Sequence, residues 1–495
     1  MAKELKTLVK DTALYGLSSI VGRFLNYLLV PLYTIKITAE SGGYGVVTNV
    51  YAYTALLMVM LTFGMETTLF RFSTKEGEDA HKVYGTVLRL VTGVAMVFAI
   101  LCLVFNAPIS ALMGYADHPE YIACMTTVVA IDAVQSIMFA HLRQQHRPLK
   151  FMALKLGYII MSIALNLFIF LVAPLIHASH PEWMGWYDPD YSVGYIFVIN
   201  LICTSSITLG FIPELKGLAY GFDRQLASRM LRYAMPILIL GIAGILNQVA
   251  DKITYLFIMP GTEGEVQLGI YGACSKIAMI MAMLLQAFRY AYEPFVFNQS
   301  RNKENNVMYA TTMKYFVIFT LLAFLVVVFY MDLFKLLVGR TYWEGLRVVP
   351  IVMMAEIFMG IYFNLSFWYK LNDETYWGAI FSFVGCALLF VINILFVPKY
   401  GYMACAWASF TGYFTAMLLS YIVGQKRNAI NYDIKDIFKY VALFGAVYGI
   451  SLVLPIENTV LKMACNTILL IVFVAYFIKK DLPLNSIPVI KRFFK

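Results

Sequence analysis

Apolar residues run along this chain in long blocks separated by short polar breaks. A helix needs about 20 mostly apolar residues to cross the hydrocarbon core of a bilayer. Fourteen blocks meet that length: 12–35, 44–70, 83–106, 119–141, 151–173, 193–213, 232–257, 267–293, 307–331, 346–369, 376–397, 402–424, 436–454 and 460–478. We number them spans 1 to 14. The pattern predicts an all-α integral membrane protein with fourteen transmembrane helices. No loop between the blocks is long enough for a separate soluble domain.

Composition agrees. Of the 495 residues, 61% are hydrophobic, against about 45–50% in a soluble domain. The net charge of +9 does not point to nucleic acid, because the basic residues form short clusters between apolar runs and no single patch. One alternate set of loops holds 24 Lys and Arg. The other holds five: Lys36, Lys335, Arg340, Lys399 and Lys462. Cytoplasmic loops carry the excess of Lys and Arg, so the first set is predicted to be cytoplasmic. Both termini then lie in the cytosol, which requires an even number of spans. The basic start "MAKELKTLVK" precedes a run too long for a cleaved signal, so that run is expected to remain as span 1.

Ionisable residues inside the blocks carry the candidate chemistry. An ionisable group at mid-bilayer costs at least about 2.5–3.5 kcal/mol and normally faces protein or water. Lys276 is about ten residues into span 8, which places it about 15 Å deep. Arg23 lies at similar depth in span 1, with Asn26 on its face of the helix. Span 7 carries Asn247 and Asp251 one turn apart, with Lys252 beside them. Arg23, Lys276, Asn26 and Asn247 are the candidate cavity residues. For Lys276 the competing reading is an ion pair with a buried carboxylate such as Glu356. Arg289 is near the end of its span and its side chain reaches the headgroups, so it is a secondary cation, as is Lys252. Glu66, Asp132, Asp251 and Glu356 are candidate sites for H+ or Na+, or counter-ions for buried bases. Fixed positive charge at low dielectric attracts an anion, and a lipid-linked phosphate or diphosphate suits cationic hydrogen-bond donors.

Other chemistry finds no support. No phosphate-binding loop, zinc-ligand spacing or nucleophile elbow is present. The seven cysteines have neither metal nor redox spacing and read as small packing residues. The "DPD" at Asp188–Asp190 is a weak sign of a metal-dependent sugar transferase. Trp183, Trp186 and Tyr187 in the predicted outer loop 174–192 are expected to anchor a helix at headgroup level, with sugar contact as the alternative. No cofactor and no enzymatic activity are expected.

Two stretches resemble each other. "GRFLNYLLVPLYTIKITAESGGYGVVTNVYAYTALLMVMLTFGMETTLFRF" and "AGILNQVADKITYLFIMPGTEGEVQLGIYGACSKIAMIMAMLLQAFRYAYEPFVF" both have Leu-Asn in the first helix. Each then has a Gly-containing turn and re-enters the membrane at a glycine, Gly45 or Gly269. Spans 1 and 7 both start in the predicted cytosol, so the repeat is parallel, with a pseudo-two-fold along the membrane normal. The expected domains are a lobe over 1–215 (spans 1–6), a second over 216–430 (spans 7–12), and an added pair with a cytoplasmic tail over 431–495.

The run "SGGYGVVTNVYAYTALLMVMLTFGMETTLFRFSTKEGED", with Tyr44-Gly45, Gly64 and Arg71, resembles the first repeat of bacterial polysaccharide flippases. "LGIYGACSKIAMIMAMLLQAFRYAYEPFVFNQ", with Tyr271 and Pro294, matches it again. These flippases share a superfamily with multidrug extruders and lipid II flippases. The resemblance implies two lobes that alternate between inward and outward openings. It implies movement of undecaprenyl-diphosphate-linked oligosaccharide from the cytoplasmic to the outer leaflet of a bacterial inner membrane. Arg23 and Lys276 match the basic residues that line the cavity in the lipid II branch, although a lysine in span 8 is a point charge and not a fork. Membrane lipids, H+ or Na+, and a polysaccharide polymerase or glycosyltransferases are the implied partners. The alternatives are a cation-coupled exporter of small molecules, with Asp251 or Glu356 as coupling site, and a membrane glycosyltransferase or polymerase.

Overall fold

The computed structural model describes residues 27–299, 305–372, 374–454, 456 and 458–481. These residues form helices and turns, with no strand among them. Helix is what a bilayer demands, because a spanning segment must satisfy its own backbone hydrogen bonds. Thirteen helices among the described residues are long and apolar enough to cross a membrane, and they correspond to spans 2–14. Most of predicted span 1 lies outside the described residues. Its final part is the short helix α1, Leu29–Lys36.

The main helices that follow are α2 Gly43–Thr62, α3 Met65–Ser73, α4 Ala80–Val104, α5 Pro119–Gln144, α6 Pro148–Leu167 and α7 Ser192–Leu209. Next come α8 Arg224–Ile258, α9 Thr262–Gln299, α10 Asn305–Phe329, α11 Val349–Leu365, α12 Tyr376–Tyr400 and α13 Tyr402–Arg427. The last are α14 Ile434–Val453 and α15 Thr459–Asp481. Local sequence explains several ends. Pro starts α5 and α6, where its missing N–H is no loss. Asp223 caps α8 by accepting from the Gln225 and Leu226 N–H groups at 2.8 and 3.0 Å. Those bonds, the Leu226 one first, hold its carboxyl below the usual value.

Predicted span 2 is broken into α2 and α3. Phe63 and Gly64 both adopt positive φ, 32° and 72°, which reverses the local twist for one step. Gly64 is needed for space as well, since a β-carbon there would lie 3.0 Å from Ile237 Cγ2 on α8.

The chain divides into two compact units. One comprises Met1–Ala273 and Leu389–Cys405, the other Cys274–Leu388 and Ala406–Lys495. In the first unit α5 is central. It packs against α2, α4 and α7, and α2 packs along α8. One buried cluster joins Met65, Leu69, Val87, Leu88, Ile137 and Met230. A second, with Val47, Val50, Met125, Ile196 and Phe197, lies toward the other end of the same helices.

In the second unit α10 is the hub, against α11, α14 and α15. The added pair, α14 and α15, therefore attaches to span 9. Ions reinforce the attachment. Lys314 on α10 pairs with Asp436 on α14 at 3.3 Å and with Asp481 at the end of α15. Tyr440 also donates to Asp481, and Lys480 lies 2.7 Å from Asp436.

Candidate functional site

The polar groups singled out in the sequence fall into separate settings. Arg23 and Asn26 lie outside the described residues. Lys276 and Glu356, both in the second unit, are partly buried. Arg289 is exposed, and its guanidinium carbon sits 4.2 Å from the centroid of the Phe363 ring. Glu66 accepts from Arg143 at 2.5 Å. Asp132 accepts from the Thr204 hydroxyl at 3.2 Å, inside the helix bundle formed by α5 and α7.

A dense polar arrangement among the described residues of the first unit surrounds span 7. Asp251 on α8 is only 2% exposed. Its Oδ2 accepts from the Tyr271 hydroxyl of α9 at 2.6 Å. Lys252 Nζ lies 3.1 Å from both carboxylate oxygens and 5.4 Å from the centroid of the Tyr271 ring. Adjacent helical residues diverge by about 100°, so the lysine stem folds back to reach its neighbour. The Lys252 carbonyl accepts from Asn49 Nδ2 on α2 at 2.8 Å, and Asn49 Oδ1 accepts from Tyr115 at 2.9 Å. Asn247, one turn before Asp251, donates to the Ala243 carbonyl at 2.8 Å. Asp251 thus arrives with a cation and a hydroxyl already on it.

Glycines let the helices come close enough for these bonds. A β-carbon on Gly45 would lie 1.9 Å from the Glu265 carbonyl oxygen of α9. One on Gly269 would lie 3.0 Å from the Gly45 nitrogen, and one on Gly272 would lie 2.2 Å from Thr48 Oγ1. The start of α2 and the start of α9 therefore meet backbone to backbone. The charge count predicts this end of both helices to be the outer one. Small residues at contact points are how membrane helices approach, because lipid and side chain are equally apolar and only close packing and hydrogen bonds favour association.

Sequence reasoning picked Asn247 and Asp251 by their spacing on one face. It noticed Gly45 and Gly269 only as landmarks of the repeat. It missed Asn49 and Tyr115, whose partners are 203 and 66 residues away. The one available signal was an asparagine inside the apolar span 2.

Comparison with known proteins adds the decisive observation. Residues 8–294, more than half of the chain, match the family described as "Polysaccharide biosynthesis protein". The chain belongs to that family. No curated protein matches it. Among solved structures it is similar to a lipid II flippase MurJ in an inward closed conformation. The TM-score is 0.69 and the identity 14%, over 95% of this chain and 99% of that one. It is also similar to a multidrug resistance MATE transporter of the MOP superfamily in an inward-facing conformation. There the TM-score is 0.64 and the identity 14%, over 81% of this chain and 94% of that one. The MATE multidrug transporter DinF-BH matches with TM-score 0.53 and 15% identity, over 85% of this chain and 96% of that one. At such identities the likeness establishes a common fold. This family member is a multi-pass helical membrane protein with the fold of flippases and exporters.

Proposed function

We propose that this protein is a flippase for lipid-linked oligosaccharide. It moves undecaprenyl-diphosphate-linked repeat units from the cytoplasmic to the outer leaflet of a bacterial inner membrane, with both termini in the cytosol. The family match carries this reading, because it links the chain to polysaccharide biosynthesis while the fold belongs to transporters. In this reading residues 1–215 and 216–430 act as two lobes that open alternately to each side, and 431–495 is an accessory pair and tail. No covalent chemistry is involved. The work is to carry a charged headgroup through a medium that excludes it.

The diphosphate sets the requirement. A charge stranded at low dielectric is costly unless paired. Arg23 and Lys276 are the cations whose sequence depth suits that task, with Asn26 and Asn247 as neutral hydrogen-bond partners for phosphate or sugar. Glu66, Asp132 and Glu356 are candidates for coupling to H+ or Na+, or for balancing the cations. The exporter reading would make Asp251 a coupling site. Its existing pairing with Lys252 and Tyr271 favours a structural role and so favours the lipid substrate.

The test is reconstitution in liposomes with lipid-linked oligosaccharide extracted from a strain lacking its polymerase. Arg23→Ala/Lys276→Ala is expected to lose transfer to the opposite leaflet while folding normally. Full transfer by that double variant would remove the two cations from the mechanism. Efflux of a cationic dye with no lipid transfer would favour the exporter.

A further inference from the structure

The loop between α6 and α7 holds two tryptophans in an unusual way. Trp183 is 69% exposed and Trp186 56%, while Met184 between them is 5% exposed. Met184 is the plug that fixes the loop, and the two indoles flank it facing outward. The loop is ordered by its own bonds. The Tyr187 N–H donates to the Met184 carbonyl at 2.8 Å. The Asp188 N–H donates to the Tyr195 hydroxyl at 2.7 Å, and the Asp190 N–H to Asp188 Oδ1 at 2.9 Å. Tyr187 stacks on Tyr195 with ring centroids 5.5 Å apart, and His180 stacks on Trp183 at 4.4 Å.

An exposed indole on an ordered loop gains by being covered, since it offers a large apolar surface. Two occupants suit it, the lipid interface or a ligand. Charge decides between them. Between His177 and Tyr191 the loop has no Lys or Arg but carries Glu182, Asp188 and Asp190, all exposed. Carboxylates beside the indoles would face lipid phosphates of the same sign, which is unfavourable. A sugar suits the set. Its C–H faces lie flat on aromatic rings, and its hydroxyls donate to carboxylates in charge-assisted bonds. The helix that the loop leads into, α7, begins against the first turn of α2. A β-carbon on Gly43 would lie 2.6 Å from Val193 Cγ2, in the first turn of α7.

From this we infer that Trp183 and Trp186, with the carboxylates around them, form a docking platform for the glycan of the substrate on the predicted outer face. The inference rests on the flippase reading. It adds that the sugar is held outside the transport path, next to the first turn of α2. The platform grips the glycan as it emerges and leaves the diphosphate to the cations.

Indole fluorescence tests it. Wild type and Trp183→Phe/Trp186→Phe are reconstituted in phosphatidylcholine liposomes, and their difference isolates the two indoles from the other four tryptophans. The probe is the water-soluble glycan released by mild acid from the strain's own lipid-linked pool. Acrylamide is expected to quench the difference signal, and saturating glycan to reduce that quenching about twofold or more, since a bound ligand covers most of its contact surface. Brominated phosphatidylcholine is expected to leave it unquenched. Quenching by the brominated lipid would identify a headgroup anchor and overturn the platform. So would acrylamide quenching unchanged by glycan. The readout requires no translocation. Protection by glycan without lipid transfer defeats the flippase reading alone, and transfer without protection defeats the platform alone.

Discussion

Gly45, near the start of α2, and Gly269, in the first part of α9, face each other backbone to backbone. A β-carbon on Gly269 would lie 3.0 Å from the Gly45 nitrogen, and one on Gly45 would lie 1.9 Å from the Glu265 oxygen. The contact has no room for a side chain, so any residue larger than glycine at Gly45 forces α2 and α9 apart.

Gly45→Val is expected to prevent this approach. The overpacking costs about 1–3 kcal/mol. Thermal melting in detergent should fall by several degrees, and surface polysaccharide at normal expression should be lost. Gly269→Ala, whose β-carbon meets a less severe contact, should be milder. Equal stability and equal polysaccharide in Gly45→Val and wild type would show that the seam opens without consequence.

Thr48 and Gly272 allow a reversible lock. A β-carbon on Gly272 would lie 3.0 Å from Thr48 Cβ, closer than the roughly 3.5–4.5 Å of a disulfide, so a small separation of the helix ends admits the bond. Thr48→Cys/Gly272→Cys is expected to cross-link on oxidation, to stop lipid transfer and to regain it with reductant. The single variants serve as controls. Continued transfer in a fully cross-linked sample would show that these helix ends stay together throughout the cycle.

Asp251 and Lys252 should behave as one unit. Lys252→Ala leaves a buried carboxylate with only part of its partners, at a cost of up to about 3 kcal/mol. Asp251→Asn/Lys252→Gln removes both charges and should recover most of that loss. A double-mutant cycle read by melting measures the coupling. Loss of transport in Asp251→Asn at unchanged stability would instead assign the carboxylate to ion coupling.

The clasp on α10 predicts how the last two helices are held. Asp481→Ala strips Lys314 and Tyr440 of a shared partner and should destabilise the second unit by up to about 3 kcal/mol. Proteases should then cut more readily between α13 and α14. Reversing the pair, Lys314→Asp/Asp481→Lys, should restore part of the protection. A protease pattern unaffected by Asp481→Ala would mean that apolar packing alone holds the pair.

Much of this molecule was legible in its sequence. The thirteen described spans fall where apolar runs predicted them. The break at Phe63–Gly64 was not legible, because a lone glycine in an apolar run is equally compatible with an unbroken helix. The clasp was hidden too. Asp481 sits at the end of span 14, and nothing local shows that its partner is Lys314, 167 residues earlier. Asn49 is one polar residue in an apolar run, and its role shows only in the fold. Its two bonds, to the Lys252 carbonyl and to Tyr115, make it a bridge between α2, α8 and the segment before α5.

Which segments cross the membrane is determined residue by residue, since each side chain contributes its own transfer free energy to a bilayer. The sequence alone therefore decided the helices, and it proposed the depth of their charges. Which helices touch was decided only by the tertiary structure. In lipid no face is driven inward by water, so the choice falls to small residues and to hydrogen bonds between distant segments. Gly45 against Gly269 and Asn49 against Lys252 are such choices, and neither follows from hydropathy.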